Sequence, residues 1–266
     1  MDEIKERIKQ SWDNFICYPK GLVKKAKVKA GEKAFFETIR KERYKVHPYI
    51  LPLLGELCYQ GKKVLEIGCG VGSDLVNLAR AGVVVTGVDL SPKSVKLARR
   101  HCQIFGVKAK LMVADAECLP FSDESFDIVY SLGVLHHSPG IQKAIAEIYR
   151  VLKPGGKVIV MLYHKNFFTY WLKLFLCRWL LTGKFLTGKF EETINDLEYP
   201  GCPWVRLYSK KGATRMFKKA GFKDISLKLY YINQGNIPLI GKLIPQPWLD
   251  FLAKYYGFHL LIKVSK

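Results

Sequence analysis

The chain has 266 residues, about half of them hydrophobic (49%), and its formal net charge is +20. This size fits one α/β domain with insertions, or a domain with a small cap. Met1 to Gln10 is charged throughout and lacks the apolar core of a signal peptide. The longest apolar stretch, Phe167 to Leu181, is interrupted by Lys173 and Arg178 and is too short to span a bilayer.

Seven cysteines are scattered along the chain without a C-x-x-C pair. An odd number without a framework is typical of reduced thiols in a cytoplasmic protein. A thiol that binds a metalloid or takes part in catalysis is the alternative, but the spacing gives it little support. No metal site is predicted.

Residues 1–60 are predicted to form an N-terminal helical lid. Within it, the basic and glycine-containing stretch Lys20 to Lys33 is expected to be a loop, and Phe35 to Tyr44 has helical spacing. Pro48 is expected to open a further helix that runs to about Tyr59.

The most informative segment is Lys63 to Gly72, in which an apolar strand ends in Glu66-Ile67 and continues as G-x-G-x-G. An amphipathic helix from Asp74 to Ala81 follows, and then a second strand, Val83 to Val88, that ends at Asp89. Ligands of parallel sheets bind at the carboxyl ends of strands, and an acidic residue there binds ribose hydroxyls. A dinucleotide fingerprint would instead read G-x-G-x-x-G, and Glu66 would repel a pyrophosphate. We therefore favour an aminoacyl nucleoside over a dinucleotide.

The remaining elements alternate between helix and strand, which is typical of an α/β sheet. The predicted order is helix Ser91–Phe105, strand Ala109–Ala114, strand Phe126–Ser131, helix Ile141–Leu152, strand Lys157–Tyr163, helix Ser209–Ala220 and the strands Ile225–Tyr231 and Phe258–Val264. Residues 61–164 form the predicted cofactor-binding core, and residues 208–266 complete the sheet. Residues 165–207 and 233–256 are predicted insertions, the first of them a cap.

The first insertion contains the aromatic stretch Phe167 to Leu181, which as a helix is apolar around most of its circumference. It is interpreted as an ordinary buried cap helix. The alternatives are the wall of a lipophilic substrate pocket, or an interfacial helix with Trp171 and Trp179 at the headgroup level. The tandem L-T-G-K-F repeat that follows is a local duplication.

Four motifs occur in order: the glycine loop, Leu119-Pro120-Phe121, Ser125-Phe126-Asp127 and the run Arg150 to Gly156. Together they resemble the class I methyltransferases that use S-adenosylmethionine, and especially the small-molecule group that includes quinone and sterol methyltransferases. The resemblance is strong over residues 60–165 and weak over 208–266. It implies a Rossmann-like α/β fold with a seven-stranded, mostly parallel sheet and helices on both faces.

The resemblance also implies where the methyl donor binds. Its methionine part would lie over Glu66, Gly68, Cys69 and Gly70, while Asp89 would hold the ribose. Leu90 would pack on the adenine, and Asp115 would accept the adenine amino group with Ala116 beside it. Ser131 and Leu132 would lie near the amino-acid end. No nicotinamide is expected.

Three residues are candidates for catalysis. His136 and His137 follow the fourth strand, where a neutral imidazole could act as a general base, although both could equally pack or cap a turn. Tyr44 lies in the lid, with Arg43 and His47, and is a candidate for contact with the donor or the acceptor. Tyr163 and His164 are expected to face the same cleft.

The leading hypothesis is an enzyme that methylates a small, hydrophobic or lipid-like acceptor. The runner-up is an RNA (tRNA) methyltransferase, since wobble-uridine enzymes also carry a double histidine after the fourth strand. A non-catalytic cofactor-binding subunit is disfavoured by the intact Glu66, Asp89 and Asp115. The pattern does not distinguish O-, N- and C-methylation and predicts no oligomeric state.

The positive charge is uneven, because residues 165–266 carry 17 basic against 6 acidic residues while residues 63–164 carry 12 against 9. Such a field attracts anionic membranes, nucleic acid or acidic metabolites, and solubility is the simpler explanation. Because the charge coincides with the aromatic insertion, contact with an anionic lipid surface is expected ahead of nucleic acid. The predicted location is the cytoplasm, with peripheral membrane association as an option.

Overall fold

A seven-stranded sheet forms the centre of the molecule, with the strand order β3-β2-β1-β4-β5-β7-β6. The computed structural model describes residues 2–14, 20–57, 60–165, 202–232 and 243–266. The strands are β1 (Lys63–Ile67), β2 (Val84–Asp89), β3 (Lys110–Val113), β4 (Phe126–Leu132), β5 (Leu152–Tyr163), β6 (Lys223–Tyr230) and β7 (His259–Ser265). Of these seven, only β7 runs antiparallel to both of its neighbours.

Nine helices lie in the described ranges. They are α1 (Asp2–Asn14), α2 (Lys20–Ala26), α3 (Lys33–Val46), α4 (Ile50–Gly55), α5 (Ser73–Arg80), α6 (Pro92–Ile104), α7 (Ile141–Val151), α8 (Lys210–Lys219) and α9 (Gln246–Tyr256). A 3₁₀ turn, Leu135–His137, follows β4. The predicted Rossmann-like fold with a mostly parallel sheet and helices on both faces is confirmed.

The two faces of the sheet bury separate apolar cores because neighbouring strand residues point in opposite directions. Val129 packs against the core under α7 and α8, which includes Ile148 and Phe217. Its neighbour Tyr130 packs on the other face against α4, α5 and α6. The sheet is thus held between two layers of helices, and the strand ends at its carboxyl edge have fixed positions.

The chain order reverses between β1 and β4, which lie side by side and parallel at the middle of the sheet. The crevice outside the carboxyl ends of these two strands is the place where open α/β sheets bind ligands. The glycine loop after β1 and the double histidine after β4 therefore meet at this point.

Local signals placed most elements within a few residues of their observed bounds. The predicted N-cap residue of α6 is present: the Ser91 hydroxyl accepts a hydrogen bond from the Ser94 amide at 3.0 Å, and Pro92 is the first residue of the helix. Two expectations need correction. The first half of the predicted loop Lys20–Lys33 is helix α2. Strand β5 begins at Leu152 instead of Lys157, because Leu152 already pairs with Phe126 of β4, and the register shifts before Lys157 pairs with Ile128.

The predicted cap, 165–207, lies almost entirely outside the described residues, and so do Trp171 and Trp179 of the helix predicted there. The residues at the two borders of the predicted cap are hydrogen-bonded to each other. The Lys165 amide donates to the Tyr208 carbonyl at 2.9 Å, and the Tyr208 amide donates to the Tyr163 carbonyl at 2.8 Å. Of the second predicted insertion, 233–256, the structure describes residues 243–256, which contain α9. In the described ranges no helix combines the length and hydropathy needed to cross a membrane.

Candidate active site

The glycine loop between β1 and α5 is tightly packed against the turn after β4. Gly68 has a φ of 75°, and a Cβ at this position would lie 2.2 Å from Val134 Cγ2. A side chain at Gly68 would therefore clash as well as strain the backbone. The amides of Gly68 and Cys69 both donate to the Val88 carbonyl, at 2.7 and 3.0 Å. These bonds join the loop to the end of β2.

Asp89 braces the same loop from the end of β2. Its carboxylate accepts hydrogen bonds from the Gly70 amide and the Ser91 amide, both at 2.9 Å. Burial raises the pKa of Asp89, while these two amide bonds lower it in part. Each carboxylate oxygen has a second lone pair for a ligand, so Asp89 can support the loop and still bind a diol.

A partly enclosed cavity opens beside Gly68 and Asp89, outside the ends of β1 and β4. Of the predicted donor-binding residues, it is lined by Gly68, Asp89, Leu90, Asp115 and Ala116. The carboxylates of Asp89 and Asp115 thus reach one space that also has apolar walls. This combination fits the nucleoside of S-adenosylmethionine, which offers a ribose diol, an amino group and an apolar ring face.

The other predicted donor residues do not line this cavity. Glu66, Cys69, Gly70 and Ser131 are buried, and Leu132 is half-buried. The Ser131 hydroxyl donates to the Ile67 carbonyl at 3.1 Å, which ties β4 to β1. Burial and the nearby Asp74 raise the pKa of Glu66 well above its usual range, and Glu66 Oε2 has no hydrogen-bond partner among the described residues. Their predicted contacts with the donor stay predictions.

Helix α1 supplies a wall of the cavity that the sequence interpretation missed. Lys5, Ile8 and Trp12 line it, one turn apart on the same face of the helix. Across from them, Glu117 also lines the cavity. The spacing of Ile8 and Trp12 in an otherwise charged segment was the available signal, because apolar residues four apart share a helix face.

Tyr44 belongs to a buried network between α3 and α5. Its hydroxyl donates to Asp74 Oδ1 at 3.0 Å and accepts from Asn77 Nδ2 at 2.5 Å. Tyr130 donates to the other oxygen of Asp74 at 3.0 Å, and Arg43 binds both oxygens. Burial and the charge of Asp74 raise the pKa of Tyr44 far above its ordinary value. Tyr44 does not line the cavity, and its catalytic role stays a prediction.

The two candidate histidines occupy different environments. His137 lines the cavity, its Nδ1 lies 2.9 Å from the Trp204 carbonyl, and Trp12 packs edge-on against its ring. His136 is fully buried and stacks on Tyr163 with 3.7 Å between ring centroids. Burial, with a contribution from His137, lowers the pKa of His136 well below its usual range. Of the two, only His137 therefore reaches the donor-side cavity.

A row of aromatic rings continues from His136 along the carboxyl edge of the sheet. Tyr163 lies parallel to His259, whose ring stacks on Tyr231 at 4.5 Å. His47 packs against both His259 and Tyr231, so this lid residue is close to the row. His164, in contrast, forms a bridge to Tyr208 at the base of the insertion. We call the set His136, Tyr163, His259, Tyr231 and His47 the ring row.

The rings of this row carry little charge. Burial lowers the pKa of His47 to about 4 and that of His259 well below its usual range. The Tyr49 hydroxyl lies 2.8 Å from His259 Nδ1. The ring row is therefore a neutral aromatic cluster with hydrogen-bonding atoms, in which His136 and His259 are buried.

Comparison with known proteins identifies methyltransferases as similar to this chain. The family model described as "Methyltransferase domain" matches residues 65–160. A sterol 4-C-methyltransferase of Caenorhabditis elegans is 38% identical over 98 residues, which are 36% of this chain and 29% of the relative. A demethylmenaquinone methyltransferase of Tropheryma whipplei is 39% identical over 101 residues, 38% of this chain and 41% of the relative. The matches thus cover less than half of these relatives.

A solved structure extends the similarity of fold. Phosphoethanolamine N-methyltransferase 2 of Haemonchus contortus, in complex with S-adenosyl-L-methionine, aligns with a TM-score of 0.56 and 25% identity. The alignment covers 78% of this chain and 49% of that protein. The likeness thus extends well beyond the segment that the family model matches.

Proposed function

Residues 65–160 are a class I S-adenosylmethionine-dependent methyltransferase domain, and we propose on this premise that the protein transfers a methyl group to a small, hydrophobic or lipid-like acceptor. The observation that carries the proposal is the cavity at the β1/β4 crevice, which brings together Gly68, Asp89, Leu90, Asp115 and His137. The cavity offers binding groups for a nucleoside on one side and a histidine on the other.

The donor, when bound, supplies an activated methyl group, since a sulfonium is a good leaving group. The protein then has to hold the donor, orient the acceptor and accept a proton where the acceptor carries one. Asp89 and Asp115 would hold the nucleoside through hydrogen bonds, and Gly68, whose missing Cβ leaves room for Val134, keeps the glycine loop close to the turn after β4. The glycine loop is held by the Val88 carbonyl and by Asp89, so its position is fixed before the donor arrives.

His137 is the better candidate for a general base. It lines the cavity, and the Trp204 carbonyl near Nδ1 favours the tautomer with hydrogen on Nδ1, which makes Nε2 an acceptor. His136 lies behind it, fully buried against Tyr163. In this proposal His136 supports the position of His137, and His137 accepts the proton.

The ring row is the proposed acceptor side of the site. It begins beside His137, because the rings of His136 and His137 are 4.3 Å apart, and it continues away from the nucleoside-binding carboxylates. Its half-buried members, Tyr163, Tyr231 and His47, would offer neutral rings that suit an uncharged or aromatic acceptor. The sterol and demethylmenaquinone relatives named above support the same class of acceptor.

The test is methyl transfer from labelled S-adenosylmethionine by the purified full-length chain. A water-soluble naphthoquinol and a sterol dispersed in cyclodextrin serve as acceptors, and bulk tRNA serves as the alternative. We expect transfer to one of the small acceptors, and loss of it in His137→Asn. Transfer to tRNA alone would move the protein to the runner-up class.

We further propose that the positive C-terminal part contacts an anionic lipid surface. Trp248, Phe251 and Tyr255 lie on one face of α9 and are 64%, 50% and 61% exposed. Residues 165–266, which include this helix, carry 17 basic against 6 acidic residues. Exposed aromatic side chains in a strongly basic segment are typical of interfacial helices, because apolar burial and attraction to anionic headgroups then act together.

Cosedimentation with vesicles tests the lipid contact. Binding to anionic vesicles should be weakened by salt and by Trp248→Ala or Trp171→Ala, and zwitterionic vesicles are the control. Tight tRNA binding without vesicle binding would instead favour nucleic acid over lipid as the partner of this basic surface.

A further inference from the structure

Helix α1 lies along the nucleoside cavity and is held at both ends. Near its start, Lys5 Nζ lies 2.7 Å from Asp115 Oδ2 and 2.6 Å from Glu117 Oε2. Near its end, Asp13 Oδ1 accepts hydrogen bonds from the Ser91 hydroxyl at 2.5 Å and from the Lys93 amide at 3.3 Å. Ile8 and Trp12 line the cavity between these two anchors.

The anchor at Lys5 is firmly built on its acidic side. The Glu117 side chain is only 2% exposed, and its Oε1 accepts hydrogen bonds from the Ser138 hydroxyl and the Gly140 amide. Burial opposes the charge of Lys5, but its bonds to the two carboxylates outweigh this effect and raise the pKa of Lys5. Lys5 is therefore a charged group attached to an acidic pair whose position is fixed.

The same contact occupies the carboxylate that is predicted to bind the adenine amino group. Asp115 Oδ1 already accepts the Glu117 amide at 2.9 Å, and Oδ2 accepts Lys5. An incoming amino group must bind one of the remaining lone pairs of Asp115 beside the ammonium group of Lys5, or displace Lys5. A bound nucleoside would also lie against Ile8 and Trp12 of α1, which line the cavity.

We infer that Lys5 is a latch that holds α1 over the nucleoside cavity and limits the rate at which the methyl donor enters and leaves. This inference rests on the proposed donor site. Lys5 acts here through the position of α1, so it is a positioning residue. Breaking the ion pairs of Lys5 would release the first part of α1 from Asp115 and Glu117, while the contacts of Asp13 with Ser91 and Lys93 remain.

The test is the kinetics of S-adenosylmethionine binding by stopped-flow fluorescence. In Lys5→Met, both the association and the dissociation rate should rise about fivefold, the upper end of what a partly exposed ion pair contributes. The dissociation constant should change less than either rate. Lys5→Arg should restore the association and dissociation rates of the native protein. Lys9→Met is the matched control, because Lys9 lies on the same helix and forms its ion pair with Glu6, at 3.7 Å. Added salt should raise the association and dissociation rates of the native protein, because it screens the ion pairs of Lys5, and should leave the rates of Lys5→Met nearly unchanged.

Two results would overturn the latch. If only the dissociation rate rises, Lys5 is a simple binding contact, and if neither rate changes, the ion pairs have no kinetic role. A donor-free measurement separates this failure from failure of the donor site: hydrogen exchange of the α1 amides should be faster in Lys5→Met than in Lys9→Met. A protein that shows this difference but binds no S-adenosylmethionine retains the latch and loses the proposed function. Equal exchange in the two variants contradicts the latch directly.

Discussion

Arg43 and Asp74 form a bidentate ion pair that joins α3 to α5, the first helix after the glycine loop. Arg43 Nε lies 2.9 Å from one oxygen of Asp74, and a terminal nitrogen of Arg43 lies 2.5 Å from the other. Asp74 is almost completely buried, so burial acts to raise its pKa, but Arg43 and two tyrosine hydroxyls outweigh burial and lower it. Helix α3 is thereby fixed against α5.

Arg43→Ala should lower the free energy of unfolding by about 3 kcal/mol, because it leaves the Asp74 carboxylate buried without its cation. Urea titration measures the change. Lys45→Ala, an exposed substitution on the same helix, is the control and should change stability by about 0.5 kcal/mol or less. A loss in Arg43→Ala no larger than that of the control would show that Tyr44 and Tyr130 alone compensate Asp74.

Asp89→Ala should weaken S-adenosylmethionine binding at least about tenfold, roughly the effect of losing a pair of charge-assisted hydrogen bonds. The substitution also releases the Gly70 and Ser91 amides, so the loop loses support in addition. Calorimetry is the measurement, and Asp123→Ala on the surface is the control. Tight NADH binding without binding of the sulfonium donor would contradict the assignment of the cavity.

The two histidines should respond differently to substitution. His137→Asn should lower kcat while the donor dissociation constant stays within about twofold, because a base acts in the chemical step. His136→Phe should keep most of the activity, since a ring of similar shape can still stack on Tyr163. If His136→Phe abolishes turnover and His137→Asn does not, the base is His136.

Stability should fall on acidification below about pH 6.5. His47, His136 and His259 have lowered pKa values in the folded state, so the unfolded chain takes up their protons first. Each such difference lowers the free energy of unfolding by roughly 1.4 kcal/mol per pH unit, and for His47 the loss ends near its folded-state pKa of about 4. Urea unfolding at pH 7.0, 6.0 and 5.0 measures the slope. His259→Asn should make it shallower, and an unchanged slope would contradict the neutral ring row.

Replacing residues 166–200 with a short Gly-Ser linker should leave donor binding intact and abolish turnover. The chain leaves and re-enters at adjacent positions, because the Lys165 amide bonds to the Tyr208 carbonyl, so a short linker can close the gap. Residues 202–207 are kept, since the Trp204 carbonyl contacts His137. Donor binding and methyl transfer are measured on the same preparation. Normal turnover by the shortened chain would show that the segment is not part of the acceptor site.

The sheet and the position of the glycine loop could be predicted from the sequence alone. Gly68, Asp89 and the cap at Ser91 are local signals, in which a few neighbouring residues set the backbone and place a polar group at a strand end. Because parallel strands end at a common edge, these local signals also predicted that Gly68 and Asp89 would share one site, and the resemblance to class I methyltransferases added Asp115.

Only the tertiary structure decided which other groups reach that site. Lys5 lies 110 residues from Asp115 in the chain, and His136 and His137 are adjacent in sequence, yet of these two only His137 lines the cavity. A one-residue step around a 3₁₀ turn changes the direction of a side chain, and contact across 110 residues depends on how α1 packs against α6. Neither the direction of the histidine side chains nor the contact of Lys5 with Asp115 is encoded in a local pattern, because both arise from the packing of the whole chain.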